Sequence, residues 1–129
     1  MTEPLWTPSP ERVERARLTA FRRRAEQRAG QRLPDYDALW RWSIDQPGTF
    51  WALVAEDADV RWRTPPSASL RHPTMPGAEW FPGGALSFTE HLLRGRGDRT
   101  AIVALDERGG PAERVSFEAL RARVAAFEG

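Results

Sequence analysis

Met75-Pro76-Gly77-Ala78-Glu79-Trp80-Phe81-Pro82-Gly83 is the run that decides how this chain folds. Four of its nine residues are Pro or Gly. Proline fixes φ and offers no backbone N–H, and the glycines punctuate what remains, so a long helix or strand is forbidden here. The run closes a longer irregular stretch, 57–85, that also holds Pro65, Pro66, Pro73 and Gly84. Trp62, Trp80 and Phe81 are the side chains in it large enough to tie it down. A structureless loop of this length is unusual inside a compact domain. It predicts a segment that wraps over a larger body.

Regular structure is expected on either side. N-terminal to the loop, Ser9 caps a helix from Pro10 to Arg28, with Glu11 and Glu14 at the positive end of its dipole. Its apolar stripe is Val13, Ala16, Leu18, Ala20, Phe21 and Ala25, and Gly30 stops it. Asp35 caps a second helix to Asp45, with Tyr36, Leu39, Trp40 and Ile44 as its apolar face. A third helix runs from Pro47 to Glu56 with Phe50, Trp51 and Val54. C-terminal to the loop, Ser87-Phe88-Thr89-Glu90 has the form of a capping box on a short helix that Gly95 ends. Thr100 to Leu105 is the best strand in the chain. A Gly-Gly turn over Asp106 to Pro111 returns it as Glu113 to Phe117. Ser116 then caps a last helix, with Phe117, Leu120, Val124 and Phe127 on one face and Gly129 as its stop. The fold class is α+β: mostly helical, with a C-terminal β-hairpin and a long Pro/Gly-rich loop.

Composition narrows the chemistry. The 129 residues contain 19 arginines and no lysine, balanced by 18 carboxylates to a net charge of +1. That balance gives no whole-chain attraction for nucleic acid or a membrane surface. Zero cysteines exclude disulfides, thiolate metal sites and cysteine nucleophiles. Zero lysines exclude a Schiff base and a lysine that steadies a transferring phosphate. No apolar run approaches the roughly 18 residues of a membrane span, and no targeting signal opens the chain, so a cytoplasmic location is expected. Charge is uneven. Residues 1–33 hold eight Arg against four Glu, net +4, and residues 34–60 hold one Arg against six acids, net −5. The two blocks are able to attract each other. Two independently solvated helix faces are the preferred reading, because exposed pairs contribute little.

No constellation of residues makes an active site. His72 and His91 are 19 residues apart with no spacing that fits a metal. His91 is expected to pack or hydrogen-bond on its helix. Asp35/Asp37 and Glu56-Asp57-x-Asp59 lack the further ligand and the glycine of a calcium loop. Asp35 serves better as a cap, and Glu56 to Asp59 is expected to be solvated at a helix exit. Gly95-Arg96-Gly97 precedes a strand instead of following one, so it is no phosphate loop. Asp98 leads into the Thr100 strand. The Arg-rich first helix would suit nucleic acid, but Glu11, Glu14 and Glu26 interrupt it. The candidate catalytic, cofactor-binding and metal residues are therefore none. A free-standing helical module docking through Trp40, Trp51, Trp62, Trp80 and Phe81 is the alternative reading.

The order of motifs says more than any one of them. Pro4-Leu5-Trp6-x-Pro8-Ser9, Tyr36-x-x-Leu39-x-x-Trp42-Ser43, Pro47-x-x-Phe50-Trp51 and the Met75–Gly83 run resemble the N-terminal stretch of the acetoacetyl-CoA synthetases. The Leu92-Leu93 helix, the Ala101-Ile102-Val103 strand and Val115-Ser116-Phe117-x-x-Leu120 resemble the beginning of the large domain of the adenylate-forming superfamily. The Met75–Gly83 run favours the acetoacetate branch over the acetyl- and propionyl-CoA synthetases. Ser87 and His91 stand where the family usually has asparagine. The resemblance implies residues 1–86 as an N-terminal cap and 87–129 as the start of a larger α/β adenylation (AMP-binding) domain. It implies, for a full-length protein, a ligase that uses ATP and Mg2+ to make an acyl-adenylate and then CoA to displace AMP. The phosphate loop ending in Pro-Lys and the C-terminal catalytic lysine of that family align to no position of this sequence. The segment itself is expected to hold no cofactor, to be non-catalytic alone, and to have the rest of the adenylation domain as its partner.

Overall fold

The structure, a computed structural model, describes residues 5–107, 109–110 and 113–127. Pro4, Pro111 and Gly129, to which sequence expectations were attached, lie outside the described residues. The chain forms two compact units. One takes the residues up to Val60 together with Thr64–Gly84, and the other takes Arg61–Arg63 with the residues from Ala85 onward.

The first unit is built on helices α1 (Pro10–Glu14), α2 (Arg17–Ala29), α3 (Tyr36–Asp45) and α4 (Pro47–Asp57). The expected single helix over 10–28 is thus two. Ser9 does cap the first, accepting from the Arg12 N–H at 3.3 Å. The chain then turns at Ala16, whose backbone is extended. Thr19 is the reason that corner holds: it is buried, and its hydroxyl donates to the Val13 carbonyl at 2.6 Å. A polar group cannot be buried without a partner, so the break supplies one. The corner also turns the stripe: Thr19 and Ala25 are buried, while Val13, Leu18 and Ala20 are exposed. Gly30 ends α2 in the left-handed conformation, as expected.

Asp35 caps α3 by accepting from the Ala38 N–H at 2.8 Å. The buried face of α3 is Leu39 and Trp42, not the expected set: Tyr36, Trp40 and Ile44 point to solvent. Helix α4 buries Leu53. These residues join Ala25 and Leu33 in one core, with Phe21, Ala29, Ala38 and Phe50 packed against it. Leu33 reaches that core from a loop because α2 grips its backbone. Glu26 accepts from the Leu33 N–H at 2.9 Å, and Arg22 donates to the Leu33 carbonyl.

The stretch 57–85 is mostly irregular, but it contains a small antiparallel ladder of β1 (Leu70–Arg71) and β2 (Glu79–Trp80). Arg71 faces Glu79 across it, with an ion pair at 3.2 Å. Phe81 N–H to the Ser69 carbonyl (3.1 Å) and Ser67 N–H to the Pro82 carbonyl (3.0 Å) extend the closure. The ladder approaches the start of α4 closely: a Cβ on Gly48 would lie 3.3 Å from Ser69 Oγ and 3.4 Å from Leu70 Cβ.

The second unit holds α5 (Phe88–Leu92), β3 (Thr100–Ala104), β4 (Glu113–Ser116) and α6 (Phe117–Ala125). Ser87 Oγ accepts from the Glu90 N–H at 3.2 Å, so the hydroxyl half of the capping box is in place. The hairpin registers Ile102 on Val115, Val103 on Arg114 and Ala104 on Glu113, with an irregularity between Thr100 and Ile102. In its turn, Asp106 accepts from the Gly110 N–H at 3.2 Å. Ser116 caps α6 through the Ala119 N–H at 3.1 Å. Of the expected α6 face, Phe117, Leu120 and Val124 are partly covered and Phe127 is exposed.

Candidate functional site

Three clusters bring chemistry-bearing or aromatic side chains together, and each is best understood from the elements that place it. The first is a relay of rings in the helical unit. Phe50 of α4 meets Phe21 (centroids 5.8 Å, 81°), Trp42 (6.1 Å, 75°) and Trp51 (5.5 Å, 83°), and Trp51 meets Trp80 at 6.0 Å and 72°. All four pairs are edge-to-face, the geometry the ring quadrupole prefers, worth about 0.5–1.5 kcal/mol each beyond burial. The relay runs from the helix core to strand β2, so Trp80 is the anchor its position in the loop predicted.

That arrangement corrects the proposed docking set. Trp51 and Trp80 spend part of their faces on each other, and Trp62 and Phe81 fall in different units, so the five rings are not one surface of a helical module. The exposed apolar stripe of the helical unit is instead Tyr36, Trp40 and Ile44, at successive four-residue steps on the outer side of α3.

The second cluster is ionic. Arg24 pairs with Asp57, and Arg28 with Glu56 at 2.7 Å, joining α2 to α4. The positive and negative blocks therefore do meet, and Glu56 and Asp57 are paired rather than merely solvated. The expectation of two separate faces failed because α2 and α4 already lie side by side for apolar reasons, which makes the pairing geometrically cheap. Arg22 pairs with Glu26 and Arg15 with Glu11, each at 3.5 Å. Glu14 accepts a hydrogen bond from Arg23, and that bond with its charge raises the guanidinium above its ordinary pKa. The Arg-rich helix thus presents paired guanidinium groups rather than a free cationic stripe.

A cavity of about 320 Å3 lies in this region, lined by Arg24, Gln27, Arg28, Leu53 and Glu56. Its two arginines are committed to carboxylates, so a polyphosphate would have to displace them. Among the described residues there is no group of three or more His, Asp or Glu placed to hold a metal ion. The residues of this segment do not fit ATP, Mg2+ or CoA. No helix among them is long and apolar enough to cross a membrane.

The third cluster organises the second unit. Both nitrogens of His91 are engaged: Nδ1 lies 2.8 Å from the Ser87 carbonyl and Nε2 accepts from the Arg61 N–H at 2.9 Å. An Nε2 that accepts from an amide is unprotonated, so Nδ1 carries the proton and the ring is neutral. His91 holds the 61–63 strand of chain against α5, a role beyond the hydrogen bond within its helix that the sequence suggested. Arg121 of α6 donates to the Leu93 carbonyl at 3.0 Å and to the Gly95 carbonyl, satisfying acceptors that the end of α5 leaves open. Gly95 is more than a helix stop. The ring of Phe117 lies over it so closely that a Cβ there would come under 3.0 Å from Cδ2, Cε2 and Cζ. Sequence reasoning missed this seat, and the signal for it, a glycine 22 residues before an aromatic helix start, is not a local one. Asp98 precedes β3 as expected, beside Gly97, whose carbonyl accepts from the Glu118 N–H at 3.3 Å.

The comparisons with known proteins agree with this architecture. The family model of the acetyl-coenzyme A synthetase N-terminus matches residues 36–92. An acetoacetyl-coenzyme A synthetase of Rhizobium meliloti (strain 1021) is 34% identical over 97% of this chain and 19% of its own length. An acetyl-coenzyme A synthetase of Deinococcus radiodurans is 36% identical over 66% of this chain and 14% of its own. The solved acetoacetyl-CoA synthetase of Streptomyces lividans superposes with a TM-score of 0.88 at 41% identity, covering 97% of this chain and 20% of that one. The chain therefore spans about a fifth of the length of the acetoacetyl-CoA synthetases it matches. Sequence motifs, fold and similarity converge, and the chain belongs to the acetoacetyl-CoA synthetase family, matching its N-terminal segment.

Proposed function

We propose that this chain is the structural N-terminal segment of an ATP-dependent acetoacetate–CoA ligase and is non-catalytic by itself. In this reading residues 1–86 cap the adenylation domain and residues 87–129 begin it. The ATP, Mg2+ and CoA of the reaction bind elsewhere in the full-length protein, which works in the cytoplasm. The observation that carries the proposal is the match of nearly the whole chain, at a TM-score of 0.88, to only a fifth of a synthetase. The exposed apolar residues support it. Tyr36, Trp40 and Ile44 on α3, and Leu105 and Phe127 in the second unit, are large side chains left in water, which a covering body would bury.

The test is ATP–pyrophosphate exchange with acetoacetate. The purified chain is expected to show none and to unfold over a broad thermal range. Measurable exchange would overturn the non-catalytic reading, and a sharp cooperative transition would favour an autonomous module.

A further inference from the structure

We infer that the outer edge of β3 is a docking edge that receives an added strand, and that this strand comes from the large body of an acetoacetyl-CoA synthetase. The inference rests on the function proposed above and assigns the edge through which the segment joins that body.

Among the described residues, β3 pairs with β4 alone. A lone two-stranded ribbon is marginal in water. Its two strands are chemically unequal. From Ala101 to Leu105 every side chain is apolar, and alternate side chains of a strand point to opposite faces, so β3 is apolar on both. Ile102 (43% exposed), Val103 (47%) and Leu105 (77%) remain substantially in water although α6 packs on the ribbon. Strands of that composition belong inside a sheet with both faces covered. In contrast, β4 carries Glu113 and Arg114, and Glu113 is paired with Arg123 of α6 at 3.1 Å.

Charged side chains are how proteins guard a sheet edge against pairing. By that criterion β4 is the guarded edge and β3 the open one. The irregularity between Thr100 and Ile102 limits the open ladder to the positions from Ile102 onward. Main-chain hydrogen bonds along such an edge supply affinity, and the alternating side chains supply register. The occupant this edge fits is an extended, uncharged, β-branched segment. The solved relative has four-fifths of its chain outside the matched region from which to supply one.

The experiment places this chain, residue for residue, in the matching N-terminal position of the Streptomyces lividans synthetase. Amide hydrogen exchange is then compared between the isolated chain and the chimera. The β3 amides that face away from β4 are expected to slow by at least about tenfold in the chimera, because they gain hydrogen-bond partners. A second chimera with Val103→Lys and Leu105→Lys is expected to lose that protection, while Arg114→Lys keeps it. A chimera that catalyses acetoacetate-dependent ATP–pyrophosphate exchange but leaves those amides as fast as in the isolated chain overturns strand addition and leaves the proposed function standing. A chimera without exchange activity overturns the proposed function, and the inference falls with it. Lysine variants as protected as the parent likewise overturn the assigned edge.

Discussion

Replacing Gly95 by alanine tests whether Phe117 and Gly95 are the closure of the second unit. The backbone at Gly95 is not in the left-handed region, so alanine meets no conformational barrier of its own. What it meets is the ring: three carbons of Phe117 under 3.0 Å from the new methyl. Carbon atoms in contact sit about 3.5–4.0 Å apart, so the ring must retreat by roughly 1 Å. Little gives way. The Phe117 N–H is bonded to the Arg99 carbonyl at 3.0 Å, the Glu118 N–H to Gly97, and Arg121 to Leu93 and Gly95. Overpacking of this kind costs about 1–3 kcal/mol. The stiffer unfolded chain returns about 0.4–1 kcal/mol. A net loss of about 1–2 kcal/mol is expected, read as faster amide exchange in β4 and α6. Phe117→Ala costs stability by itself, but Gly95→Ala added to it should cost nothing more, giving a coupling energy of about 1–2 kcal/mol. An alanine that costs as much without the ring as with it would refute the argument, and so would one that costs nothing in the parent chain.

Three further outcomes follow from the other contacts. Arg121→Met strips a charged donor from two carbonyls and should cost about 1.5–3 kcal/mol, measured by exchange at the α5–α6 amides. His91 should show the Nδ1–H tautomer by nitrogen chemical shift, and His91→Leu should free the Arg61 amide to exchange; an Nε2–H tautomer would contradict the assigned bonds. Removing both interhelix pairs with Glu56→Gln and Asp57→Asn should cost no more than about 1–2 kcal/mol in total, because the pairs are exposed. That cost should shrink in about 1 M salt, where screening acts over roughly 3 Å, and thermal unfolding at two salt concentrations reads it.

The readable parts of the sequence were those governed by near neighbours. Ser9, Asp35, Ser87 and Ser116 each cap a helix through a bond three residues away, so residue type and position suffice. The hairpin announced itself through Thr100–Leu105 and the glycines after it. What was not readable depended on distant partners. On α3, Trp40 and Trp42 are both large and aromatic, and helical spacing admits a face through either; packing against α2 and α4 selects Leu39 and Trp42. The corner at Ala16 needs Thr19 to be buried, which no local rule states. The two-residue ladder β1–β2 is too short for any periodicity to show. The seat of Phe117 on Gly95 and the bond from Arg61 to His91 span 22 and 30 residues, respectively.

The Trp51–Trp80 pair has an optical consequence. Two indoles at 6.0 Å with planes 72° apart are near enough, and oblique enough, for their excited states to mix. One ring rides on helix α4 and the other on the loop strand β2, so their shared transition exists only while the loop lies down. Nature has thereby placed a pair of coupled oscillators across the least regular part of the chain, and its circular dichroism would carry their signature without any added dye.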